Sequence, residues 1–266
     1  MGAVDFHAHA FPDNLAERAV SRIASLAGAK PVLDGKVSTL RASMDSARIE
    51  RSVVLSIATK PGQYDSILAW SKTIASARIV PFLSIHHSEP DAPRKIREAA
   101  SQGFKGFKFH PYYQDFDLDA EAMLPIYEAL EERDLICVSH TGFDYSFPFI
   151  RKADPPRILN VLRRFPRLKF VATHLGGWKD WDLVAEILPG WPGAGLWIDT
   201  SFSLEFMAAE KARALILAFP GKRILFGSDS PWADQAASLG SFRGLGLDPE
   251  LERLILQENA SRLLGM

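Results

Sequence analysis

Short β-rich, mostly apolar runs recur along the chain with helical segments between them. This alternation limits the available folds more than any other feature. The runs are Ala3–His9, Ser52–Ile57, Ile79–Ile85, Gly106–Phe109, Ile136–His140, Lys169–His174, Leu196–Thr200 and Arg223–Gly227. Most are nearly continuous in apolar residues, as expected of parallel strands buried on both faces. Helices are expected over Glu89–Ser101, Ala120–Arg133, Pro156–Phe165, Leu204–Ala218 and Pro249–Leu264. In the second of these, Met123, Ile126, Tyr127 and Leu130 share one face. The last opens with Asp248 as cap and Pro249 in its first turn. Eight βα units, with no glycine-rich dinucleotide loop after the first strand, predict an α/β fold of the closed (β/α)8 TIM-barrel type rather than an open doubly wound sheet. The 266 residues suit one such barrel of about 250 residues, and no linker or low-complexity stretch divides them, so a single domain over 1–266 is expected.

The net charge of -1 carries no basic excess that would select nucleic acid or an anionic membrane surface. The one cysteine, Cys137, lies in an apolar run and cannot form an intramolecular disulfide, which fits a reducing compartment. The N-terminus lacks a basic segment followed by an apolar stretch, and Phe6 stands where a myristoylation signal wants Ser or Thr. No run approaches the roughly 18 apolar residues of a membrane span. The expectation is a cytoplasmic protein acting on a small molecule. Two segments read as irregular, Ala10–Thr39 and Phe143–Asp154. Both follow strands and would lie over the active face of a barrel as a lid. Arg22, Lys30 and Lys36 in the first would be solvated surface charge or contacts to an anionic substrate.

All seven histidines fall at or just beyond the C-terminal ends of expected strands: His7, His9, His86, His87, His110, His140 and His174. That is the face on which barrel active sites are built. His7 and His9 are two residues apart, so strand alternation points both imidazoles the same way, a pair suited to zinc, iron or manganese. His140 ends the fifth strand, His174 the sixth and Asp229 the eighth. Nitrogen ligands with one carboxylate and room for water make an open catalytic site rather than a closed structural one.

Six pieces in order, V-D-F-H-A-H, G-F-K-G-F-K-F-H-P, V-S-H-T-G, T-H-L-G-G-W, I-L-F-G-S-D-S-P-W and E-N-A-S-R-L-L, span nearly the whole chain. As a set they resemble the amidohydrolase superfamily, specifically the amidohydrolase-related branch that includes aminocarboxymuconate semialdehyde decarboxylase. The resemblance implies a divalent metal ion, zinc before manganese or iron, held by His7, His9, His140 and Asp229. It implies that His174 orients or deprotonates the metal-bound water and that Asp229 is both ligand and proton acceptor. It also implies a homodimer, from the family's habit of dimerising. The implied chemistry is hydrolysis of an ester, lactone or amide bond in a small molecule by metal-activated water. Non-oxidative decarboxylation of an unsaturated or aromatic acid is the alternative, and a metal-independent lactonase a further one.

Lys108 and His110 alternate on the fourth strand and share a face. By resemblance Lys108 would be carboxylated and bridge a second metal; the plain reading is an ammonium paired with an acid or with a substrate carboxylate. His110 is expected to contact substrate or support a ligand. Of His86 and His87 only one can point inward. Trp178, Trp181 and Trp232 would wall a pocket or simply pack over the barrel mouth. Asp199 would orient a ligand histidine or sit satisfied among the strands.

Overall fold

A computed structural model of the chain describes residues 2–266. It contains eight strands in the expected order, β1 Ala3–Ala8, β2 Ile49–Leu55, β3 Ile79–Phe82, β4 Gly106–Phe109, β5 Ile136–Ser139, β6 Lys169–Ala172, β7 Leu196–Asp199 and β8 Ile224–Leu225. Strands β1 to β3 are hydrogen-bonded in chain order, as are β4 to β8. Parallel bridges join Leu83 to Phe107 and Ala8 to Ser230. These are the elements and neighbours of a (β/α)8 barrel. By contacts the chain divides into two units, Met1–Val54 with Ile74–Val80 and Asp199–Met266, and Leu55–Thr73 with Pro81–Ile198.

In the first unit β1 runs parallel to β2, with Asp5 opposite Ser52 and Ala8 opposite Val54. On its other side β1 meets the segment that continues β8. The Phe6 amide donates to the Phe226 carbonyl at 2.8 Å, the Asp229 amide to the His7 carbonyl at 2.7 Å, and the His9 amide to the Ser230 carbonyl at 2.6 Å. Helices α1 Asp13–Ala27 and α2 Val37–Ala47 follow β1. The C-terminal run is a short helix Pro249–Arg253, a π turn Leu254–Glu258 and a helix Asn259–Leu264. Asn259, from the E-N-A stretch, donates its amide to the Gly221 and Ile224 carbonyls at 2.8 and 2.7 Å, which pins this helix to the start of β8.

In the second unit the ladder is in register. Phe107 faces Cys137, which faces Phe170, which faces Leu196; one rung on, Lys108, Val138, Val171 and Trp197 align. Each of these strands is four residues long and almost wholly buried, as parallel strands covered on both faces must be. Helices Ala92–Ser101, Leu124–Glu132, Pro155–Arg164 and Trp181–Ile187 alternate with them. Among the described residues no helix is long and apolar enough to cross a membrane.

The expected irregular segment Ala10–Thr39 is corrected: most of it is α1 and the start of α2. Its apolar face is narrow, with only Ala16 and Val20 of α1 buried, so the surface charges masked its period. The helix expected over Leu204–Ala218 begins only at Ala209, after turns. Phe143–Asp154 is irregular as expected.

Gly106 opens β4 where a side chain has no room. A Cβ there would lie 2.3 Å from Phe82 Cε2 and 2.5 Å from the Ile136 carbonyl oxygen. Gly106→Ala should therefore lose about 1–3 kcal/mol in urea unfolding. Gly190→Ala, which meets nothing within 4 Å, should leave the midpoint nearly unchanged.

Candidate metal centre

The first unit gathers three of the expected ligands. Alternation along β1 brings His7 and His9 to one side, with Nε2 atoms 3.2 Å apart and rings 5.1 Å apart at 68°. Asp229 Oδ1 lies 3.3 Å from His7 Nε2 and 3.2 Å from His9 Nε2. The three ligand atoms thus form a nearly equilateral triangle. Zinc–nitrogen bonds of about 2.0–2.1 Å in tetrahedral geometry place ligand atoms about 3.3 Å apart, so these residues fit one divalent ion with a face of the tetrahedron already formed.

Two local features hold the triangle. His7 Nδ1 contacts Asp199 Oδ2 at 2.8 Å, and both side chains are essentially buried. The Asp199 carboxylate is itself fixed, accepting from the Ser201 amide at 3.1 Å and the Ser201 hydroxyl at 2.5 Å. A carboxylate at Nδ1 keeps the proton there and turns the Nε2 lone pair toward an ion. Of the two readings offered for Asp199, this contact is the one that orienting His7 requires. The second feature is Gly227, where a Cβ would lie 2.8 Å from His7 Cβ; bare backbone lets the chain after β8 run close beside β1. Asp229 then sits at φ 74°, a left-handed conformation that costs a non-glycine residue about 1–3 kcal/mol.

The second unit gathers the others. Because Phe109 and Ser139 are register partners, His110 and His140 follow on the next rung. Their rings stack at 4.3 Å and 13°. His174 turns back from the end of β6 in a left-handed pair with Leu175, at φ 60° and 54°. Its Nε2 lies 3.1 Å from His140 Nδ1. His140 Nε2 lies 3.1 Å from the Phe143 carbonyl. A carbonyl only accepts, so His140 carries its proton on Nε2 and accepts from His174 at Nδ1. Burial first, then the neighbouring His174, pushes the His140 imidazole down to about 3.

Asp144, which the sequence reading did not single out, reaches into this group. Its Oδ2 stands 3.6 Å from His110 Nε2 and 3.9 Å from His140 Nε2, and its Oδ1 accepts from the Ser146 amide at 2.7 Å. His110, His140 and Asp144 offer ligand atoms within 4.8 Å of one another. Nearly parallel stacked imidazoles, however, aim their lone pairs side by side rather than at one point. This group is better suited to passing protons or gripping a polar substrate than to chelation. Only a carboxylate in the irregular segment just beyond the V-S-H-T-G stretch could have signalled Asp144.

Lys108 is 1% exposed, its β4 carbonyl accepting from the Ser84 hydroxyl at 2.7 Å. His86 is buried and takes the Ser88 amide on Nδ1 at 3.1 Å, while the half-buried His87 ring lies tilted against it at 4.3 Å and 33°. Trp178 and Trp181 are buried and pack edge to face at 5.1 Å, with Trp178 6.2 Å from the His174 ring. Trp232 is half-buried in the first unit.

Asp199→Asn should weaken zinc binding about 10–100-fold, read by chelator competition, because it removes the anion behind His7. An unchanged affinity would detach Asp199 from the centre. The His140 ring gives a pH effect. As pH falls through 6.5 an unfolded imidazole takes up a proton that the folded one refuses until about 3. Its contribution to stability is therefore whole above 6.5 and is lost progressively toward 3. Between pH 7.5 and 5.5, chelator-treated His140→Gln should lose less stability in urea than the unaltered protein; equal losses would contradict this assignment.

The amidohydrolase family profile matches residues 4–266. A probable dihydroorotase from Schizosaccharomyces pombe is 26% identical over 184 residues, 65% of this chain and 49% of its own length. The chain thus spans about half the length of that curated relative. An uncharacterized TIM-barrel protein from Bordetella bronchiseptica superimposes with a TM-score of 0.77 at 21% identity, covering 100% of this chain and 99% of its own. A 2,6-dihydroxybenzoate decarboxylase, complexed with 2,6-dihydroxybenzoate, does so with a TM-score of 0.75 at 16% identity, covering 100% of both chains. These likenesses give the TIM-barrel fold, and members of the matched family are enzymes, typically dependent on a divalent metal. With the profile matched from Val4 to the last residue, the chain belongs to the amidohydrolase family.

Proposed function

We propose that this enzyme is a metal-dependent hydrolase that opens an ester, lactone or amide bond of a small molecule with metal-activated water. The observation that carries the reading is the triangle of His7 Nε2, His9 Nε2 and Asp229 Oδ1, with edges of 3.2 to 3.3 Å. Zinc is the ion favoured by two imidazoles and one carboxylate at this spacing, with manganese and iron as substitutes.

A bound divalent ion supplies Lewis acidity and brings the pKa of its water toward neutrality. The chain does the rest. His7 and His9 would hold the ion through Nε2, and Asp199 keeps the His7 proton on Nδ1, away from it. Asp229 takes the proton of the attacking water and returns one to the leaving group. His140 as a fourth ligand rests on the family resemblance. Retention of full zinc affinity by His140→Ala would assign it to its pair with His174 instead.

The test is direct. Zinc-loaded protein should hydrolyse a member of a panel of esters, lactones and amides, with esters and lactones followed by acid release in a pH-stat and amides by the amine set free. Asp229→Asn should lower kcat by about 10²–10⁴-fold, the range of a lost general base. Activity that survives full chelation would favour a metal-independent lactonase. The second reading is non-oxidative decarboxylation, supported by the likeness to a 2,6-dihydroxybenzoate decarboxylase and by a group, His110 with Asp144, suited to delivering a proton to carbon. Carbon dioxide release from aromatic or unsaturated acids without hydrolysis of the panel would replace the hydrolase reading.

A further inference from the structure

Asp5 is a carboxylate with no exposure, two residues before His7 and outside the ligand triangle. Its Oδ1 accepts two main-chain amides, from His7 and from Ser228, each at 3.0 Å. Its Oδ2 accepts the Ser228 hydroxyl at 2.6 Å and the Gln235 side-chain amide at 2.7 Å. The Ser228 hydroxyl in turn accepts the Ser230 amide at 3.0 Å. Asp5 thus grips the residue before Asp229 directly and the residue after it through one hydroxyl. Between them the Asp229 amide is tied to the His7 carbonyl. The far end is anchored too, since Gln235 also donates to the Ser52 hydroxyl at 3.2 Å.

This arrangement answers a question posed by the Asp229 backbone. A residue with a side chain leaves the left-handed region unless its neighbours hold it there. The pairs that hold Asp229 converge on a single carboxylate, an acceptor-only group able to take four donors at once. We propose that Asp5 is the positioning residue of the centre: it clamps the backbone on both sides of Asp229 and at His7, and so sets the affinity of the triangle for a divalent ion. This rests on the reading of His7, His9 and Asp229 as metal ligands. Asp5 touches neither ion nor substrate and acts through the geometry of Asp229.

Clamp and charge separate experimentally. In Asp5→Asn the amide oxygen keeps both main-chain donors. The new NH2 group faces the Ser228 hydroxyl, whose oxygen can accept it while its proton turns to the His7 carbonyl at 3.5 Å, and Gln235, whose Oε1 has no hydrogen-bond partner and can turn to accept. Asp5→Asn therefore preserves the clamp without the charge, whereas Asp5→Ala and Ser228→Ala break it. The measurements are the zinc dissociation constant by chelator competition and the visible spectrum of the cobalt-substituted protein, each on the full chain, beside urea unfolding of the metal-free form.

Asp5→Ala and Ser228→Ala should bind zinc about 10–100-fold more weakly, the usual loss when a ligand's support is removed, with an altered cobalt spectrum. Asp5→Asn should stay within about 3-fold of the unaltered protein and keep its spectrum. If Asp5→Ala does not fold, Ser228→Ala carries the comparison. Unchanged zinc affinity in Ser228→Ala, or an equal loss in Asp5→Asn and Asp5→Ala, would overturn the proposal. Failure of the ligand reading looks different: the unaltered protein would bind no zinc, or His7→Ala would bind it equally well.

Discussion

The site hangs on one main-chain pairing, that of β1 with the residues beyond β8. The amide of Asp229 reaches the carbonyl of His7, and the amide of His9 reaches the carbonyl of Ser230. Strand geometry alone would place His7 and His9 on one side. The pairing adds a carboxylate from more than two hundred residues away at a separation that matches the edge of a zinc tetrahedron. Nothing about the individual side chains would produce that distance; it follows from the register of two backbone segments.

Three carboxylates in the first unit are buried at or near this pairing, Asp5, Asp199 and Asp229. Burying an anion is costly unless donors or opposite charge surround it. Asp5 is satisfied by four donors and Asp199 by His7 and Ser201. Asp229 meets two imidazole nitrogens, a setting in which a doubly charged ion is the natural counter-charge. The second unit takes the opposite course: its histidines are stacked and paired with one another, and His140 is held neutral.

Much of this was legible in the sequence, for identifiable reasons. Alternation of β-rich and helical runs gave eight strands in order, and period-two parity put His7 and His9 together. The carboxylate in the S-D-S-P-W stretch was found because it follows an apolar run. What escaped was whatever lacks a period. Asp144 lies in an irregular segment, where no register says which way a residue points. Asp5 looks like one polar residue in a strand, and its partners Ser228 and Gln235 are more than two hundred residues off. Helix α1 was hidden because a mostly exposed helix needs few apolar positions. The stacking of His110 on His140 required the ladder register, which only coordinates supply.

Gly227 limits how such a chain can change. A methyl group there would press on the Cβ of His7, so this position admits no larger residue without moving His7. The tip of the segment after β5, residues 148–151, by contrast, is exposed, Phe149 almost fully, and can exchange residues at little cost to packing. The molecule therefore has a rigid place and a permissive one: the exposed tip of that segment can vary while the atoms that would grip the ion stay where they are.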